Sequence, residues 1–207
     1  MLNTQITQGR ICPKQANFEI KVMDQQQQEH QQMISATSNW VSNVIMKYNL
    51  CPFARKEVER GSIRYLVVEE TKRKQVLAAL IKECQFLDEN PDMETSLVIL
   101  ARGFEGFYDY LDLLDSANDA LLDNAYEGVY QLASFHPDYC FEDEPQDSPA
   151  NFTNRSPYPT LHIIRESSME QALASYHDPE SIPLRNMAFA NKKGSDFFIK
   201  LLSECHK

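Results

Sequence analysis

The chain has 207 residues, with 30 Asp and Glu against 20 Lys and Arg, a formal net charge of −10 and a hydrophobic fraction of 43%. That is enough apolar material for one domain with a packed core, and it excludes a disordered chain. The acidic balance works against a surface that tracks phosphates, so nucleic acid is not an expected partner.

No stretch approaches the roughly 18 apolar residues of a membrane span, and no apolar leader segment is seen. Five scattered cysteines (Cys12, Cys51, Cys84, Cys140, Cys205) form no CxxC pair and suggest no disulfide framework. A reducing, cytoplasmic setting is therefore expected. Oligomeric state is left open.

In chain order, residues 1–33 are polar and end in DQQQQEHQQ, a biased tract read as a flexible Gln-rich arm. Residues 34–207 are read as a single domain. Ser35 or Thr37 is placed to cap a helix whose Trp40, Val41, Val44, Ile45 and Tyr48 share one face, and Pro52 is compatible with its end near Leu50. Residues 62–69 read as a strand, 74–87 as a helix, 96–101 as a strand apolar enough to be covered on both faces, and 107–122 as a helix. A third strand is expected over 129–136 and a fourth over 160–165. Ser167 or Ser168 then opens a helix with a capping-box spacing, and two short helices start near Pro183 and Ser195. The βαβαβ order implies an α/β fold with a largely parallel, open sheet of about four strands and flanking helices, an order that also admits ferredoxin-like βαβ elements.

The segment between the third and fourth strands is long, aromatic and rich in Pro, Asn, Asp and His. Loops of that length are functional or disordered, and this composition favours an ordered one. Its flanks carry ASFHPDYCF at 133–141 and NFTNRSPYPTLHIIRE at 151–166, while NWVSNVIMKYNLCPFA stands at 39–54. These three motifs resemble the signatures of a bacterial and plant family known only as a domain of unknown function. The resemblance runs on to about Asn191 and brings no activity with it.

Chemistry is therefore read from the residues. His136 leaves the carboxyl end of the third strand, where open α/β sheets bind ligands. Alternation along TLHIIR puts His162 on the face opposite Leu161 and Ile163. Either imidazole could serve as an acid, a base or a metal ligand, and Cys51 is a candidate nucleophile if a cation or base lies beside it. Arg155, with Asn154, Asn151 and Asp147, offers a donor fork and amides for a polar or anionic substrate. The plain alternative makes each of them structural, as a buried thiol, core histidines, and turn-capping Asn and Asp tied by Arg.

His136, Cys140, His162 and Cys51 could together supply N and S ligands for a divalent metal, and Asp143, Glu144, Asp147 and Asn151 oxygen ligands, although neither set has a known spacing. Six glycines in no GxGxxG or GxxxxGK pattern disfavour nucleotide cofactors. Two functions follow. One is an enzyme acting on a small polar or anionic substrate, with His136, His162, Asn154 and Arg155 converging on one pocket that Cys51 approaches. The other is a non-catalytic ligand-, metal- or partner-binding protein.

Overall fold

Four strands, β1 (Ile63–Val68), β2 (Thr95–Leu100), β3 (Tyr130–Phe135) and β4 (Thr160–Arg165), form one sheet in the order β1-β2-β4-β3 in the computed structural model, which describes residues 13–174 and 178–207. β1 pairs with β2 in parallel, whereas β4 runs antiparallel to both β2 and β3. The α/β class and the four strands stand as expected. The largely parallel sheet is corrected to a mixed one. The three strands of the βαβαβ run do point the same way, but β4 returns from the long loop and inserts between β2 and β3. Local patterning could not show this, because strand direction is set by the connection and not by the strand's own alternation.

Because register fixes which side chains share a face, the sheet has two distinct sides. Leu66, Val68, Val98, Leu100, Leu161 and Ile163 face α3 (Arg73–Glu89) and α4 (Phe107–Asp123), whose Val76, Leu80, Cys84, Leu87, Tyr110, Leu113 and Ala117 are fully buried against them. Each such Leu stabilises the fold by about 1.5–3 kcal/mol relative to exposure. Glu83 is buried on this side, held by Arg64 Nε at 2.7 Å and Ser96 Oγ at 2.5 Å.

The opposite face carries Ile63, Tyr65, Leu97, Phe135 and His162. It is covered by the end of α1 (Pro13–Trp40), a π-helical turn at Val41–Met46, α2 (Ala54–Arg60) and α7 (Ser195–Cys205). Gly61, at φ 66°, ends α2 in the left-handed conformation and turns the chain into β1.

α1 is longer than the sequence suggests. Thr37 does not cap it: its hydroxyl donates to the Met33 carbonyl one turn earlier, inside a helix that already includes the Gln-rich tract. The boundary expected at residue 33 falls within this helix, and Cys12 lies outside the described residues. Gln26 and His30 reach Glu69 just past β1, at 2.5 and 2.6 Å. α5 (Glu166–Ala174) continues directly from β4, and α6 (Ser181–Lys193) and α7 follow. Among the described residues, no helix is long and apolar enough to cross a membrane.

Candidate functional site

The loop from 136 to 159 lies beyond the carboxyl ends of β1, β2 and β3, since Phe135 pairs with Thr160 at the end of the β3–β4 ladder. Its polar groups bind the loop itself. His136 is fully buried: Nε2 lies 3.1 Å from the Phe104 carbonyl and Nδ1 accepts from the Asp138 amide at 3.0 Å, with the ring against Phe107 and Tyr110. Both nitrogens are committed, and burial lowers the imidazole's pKa.

Asn151, also fully buried, accepts from the Phe141 amide and donates to the Pro145 carbonyl at 3.0 and 2.9 Å. Asn154 donates to the Ser134 carbonyl. Arg155 donates from Nε to Tyr139 and from Nη2 to Gln146, at 3.1 and 2.7 Å, while its guanidinium covers the Phe152 ring. Asp147 is exposed, and its carbonyl receives the Ser195 hydroxyl. Cys140 points at the carbonyls of Phe141 and Glu144.

The expected convergence of His136, His162, Asn154 and Arg155 is thus corrected. Three of them knit the loop, and His162 lies within β4 on the sheet face under α2. Among the described residues, no three His, Cys, Asp or Glu side chains are grouped to hold a metal ion, so His136, Cys140, His162 and Cys51 do not form a common ligand set. The acidic group Asp143, Glu144 and Asp147 does not form one either.

His162 and Cys51 line one and the same cavity, of about 700 Å³. The cavity lies on the sheet face under α2 and α5, towards the amino ends of β1 and β2, not beyond their carboxyl ends. Trp40, Val41, Phe53, Leu97, Phe135 and Met169 supply much of its apolar wall. Trp40, Val41 and Leu97 are buried, whereas Lys56, Arg60 and Gln171 are exposed and mark the mouth. At the mouth, Lys56 and Arg60 are both committed to Glu57, each at 3.4 Å. The π-helical turn that begins at Val41 widens the helix where Trp40 and Val41 meet the cavity; such turns recur at functional sites.

His162 is half-buried, and its protonation follows from its neighbours. Thr95 Oγ1 lies 2.6 Å from His162 Nε2 and donates its single hydrogen to the Ile163 carbonyl at 2.5 Å. The hydroxyl can then only accept from the ring, so Nε2 carries the hydrogen and Nδ1 is a lone-pair acceptor. Burial pushes the imidazole pKa down to about 4, so the ring is neutral at pH 7. Cys51 is raised by burial, an effect opposed by hydrogen bonds from the backbone of Phe53 and Ala54. Its thiol is therefore protonated at neutral pH.

Two buried side-chain polar atoms among the described residues have no hydrogen-bond partner, Trp40 Nε1 and Glu94 Oε1, and both residues line this same cavity. Sequence reasoning missed Trp40, Glu94, Thr95 and Phe135. Trp40 and Phe135 read as ordinary core, and Thr95 adjoins an apolar strand. The one signal available was a Trp on an apolar helix face, which carries a polar N–H into any core it joins.

No curated protein and no solved structure matches the chain. A family model described as "Protein of unknown function (DUF1415)" matches residues 32–200, which span the π-helical turn, the whole sheet and every residue lining the cavity. The chain belongs to this family.

Proposed function

We propose that the protein binds a small, mainly apolar molecule in the cavity between the sheet face and α2. The observation that carries this reading is His162: a neutral ring, held by Thr95, whose Nδ1 has no partner among the described residues and which lines a cavity with mainly apolar inner walls and a polar, charged mouth. A large apolar cavity with a few convergent polar groups is the usual form of a ligand site. The rim charges pair among themselves, which supports a less anionic ligand than Arg155 suggested in the sequence.

A second reading, an enzyme, is favoured by Cys51 and His162 sharing the cavity. Against it stand the protonated thiol and the weakly basic imidazole, each poorly matched to nucleophilic or base catalysis near neutral pH.

The experiment is calorimetric titration with 2-methoxynaphthalene, alongside an Ala133→Phe variant that fills the cavity. Saturable binding lost in the variant supports the site, and absence of binding to the parent protein contradicts it. Alkylation of Cys51 by phenacyl bromide separates the two readings. A rate at pH 7 below that of a free cysteine, unchanged by His162→Phe, fits a binding protein. A much faster rate that His162→Phe abolishes would favour the enzyme.

A further inference from the structure

The sheet register lays out the floor of the cavity in two rows. Leu97, His162 and Ala133 pair across β2, β4 and β3. In the row before them Thr95 pairs with Ile164, and Ile63 of β1 lies beside Thr95. All six line the cavity. At the usual strand spacing and rise the His162 row is roughly 10 Å across, and the two rows lie roughly 7 Å apart. Phe135, packed edge-on against Trp40 at 4.9 Å between ring centroids, closes the far end.

His162 therefore rises from the middle of this floor. Directly paired residues hold their Cβ atoms about 5 Å apart, and Ala133, the smallest side chain of the row, leaves room beside the imidazole. Trp40 Nε1 and Glu94 Oε1 are the buried side-chain polar atoms without a partner among the described residues. His162 Nδ1 has no partner there either, yet it is not among the buried ones: its ring is half-buried, on the face that opens into the cavity. It is thus a polar atom that an occupant lying on the floor reaches.

Nδ1 needs a hydrogen from that occupant. The ring is neutral at pH 7, and its own hydrogen is on Nε2, given to Thr95. A carboxylate has no hydrogen to give. An ammonium would lie among Leu97, Ile164 and Phe135, where an unpaired charge is costly. An aromatic hydroxyl meets the need without charge, because its pKa of about 10 keeps it protonated at pH 7. Its ring also suits Phe135, Trp40 and the imidazole as neighbours.

We infer that the cavity takes an uncharged hydroxyarene, its flat ring system on the Leu97–His162–Ala133 row and its hydroxyl donating to His162 Nδ1. This rests on the reading of the cavity as a binding site and names what that site selects.

Calorimetry at pH 7 compares 2-naphthol with 2-methylnaphthalene, which has the same shape without the donor, and with 2-naphthoate. The hydroxyl carries its own cost of leaving water, so the informative quantity is the affinity ratio of the first two probes, in the protein and in a His162→Phe variant. That ratio is expected to fall at least about tenfold in the variant, where the hydroxyl meets no acceptor. In the parent protein 2-naphthoate should bind at least about tenfold more weakly than 2-naphthol. Cooperative melting confirms that the variant folds. Long-range ¹⁵N–¹H correlation spectra of the parent protein follow His162 Nδ1 itself: 2-naphthol should move its signal saturably to lower nitrogen frequency, and 2-methylnaphthalene much less. That measurement stands alone if the variant does not fold. A ratio unchanged by His162→Phe, an Nδ1 signal that responds equally to both probes, or 2-naphthoate binding as tightly as 2-naphthol would overturn the inference while leaving the cavity a binding site. Failure of all three probes to bind would overturn that site as well.

Discussion

Thr95 fixes the tautomer of His162: the hydroxyl spends its hydrogen on the Ile163 carbonyl, so the imidazole donates from Nε2 and keeps Nδ1 as an acceptor. This holds only while the ring is neutral. Folding lowers the imidazole from about 6.5 to about 4, so between these values the unfolded chain binds the proton more readily than the folded one. Stability is thus full above about pH 6.5, falls as pH drops towards 4, and loses no more on this account below that. Between pH 7 and pH 4.5 the loss is on the order of 2–3 kcal/mol. Urea denaturation at pH 7 and at pH 4.5 measures it, and His162→Gln should show the smaller difference between the two. An equal difference in both proteins would remove His162 as the cause.

His136 is a core residue in this structure, with both nitrogens engaged and aromatic rings beside it. His136→Ala should therefore destabilise the protein by about 3 kcal/mol, through a cavity and two orphaned partners. Binding of 2-methoxynaphthalene to the fraction that remains folded should not change. Normal stability with lost binding would place His136 in the site instead.

Arg155 ties Tyr139 and Gln146 to the end of the loop. Arg155→Ala should cost about 1 kcal/mol, since it removes a donor from the half-buried Tyr139 carbonyl and one from the exposed Gln146 carbonyl. The loop between them should then be cut faster by protease under native conditions, which limited proteolysis with mass mapping checks. An unchanged cutting rate would show that other contacts hold the loop.

How far the sequence reached differs from element to element. The strands and most helix positions were legible because alternation and the 3.6-residue period report burial directly, as in TLHIIR, where Leu161 and Ile163 are buried and His162 faces the other way. The direction of β4 was not, since it depends on how the 136–159 loop returns. The polar loop stands out by its composition, yet those groups satisfy one another: Asn151 alone serves the Phe141 amide and the Pro145 carbonyl. The cavity assembles residues from the π-helical turn, α2, all four strands and α5, and no local pattern joins Trp40 to Glu94. Only the unmet hydrogen bonds mark it.

The Gln-rich part of α1 touches the rest of the protein through polar pairs, His30 and Gln26 to Glu69 and Glu29 to Arg102. Exposed or half-buried pairs of this kind contribute about 1 kcal/mol or less each. Removing residues 1–33 should thus leave a cooperatively folding domain that retains Ala36, Thr37 and Trp40 in its core, with a melting temperature lowered by a few degrees. Loss of a cooperative transition in calorimetry would show that the arm is part of the fold.

Trp40 is the chain's single tryptophan, so its indole N–H gives one resolved signal in a ¹⁵N–¹H correlation spectrum. That signal belongs to a buried donor without a partner, on a residue lining the cavity. Titration with 2-methoxynaphthalene should move it saturably, through the ring current of a naphthalene packed beside Trp40 and Phe135, and Ala133→Phe should hold it still. An indole signal that stays in place up to the solubility limit of the ligand, in a protein whose other resonances show it folded, would contradict a ligand site in this cavity.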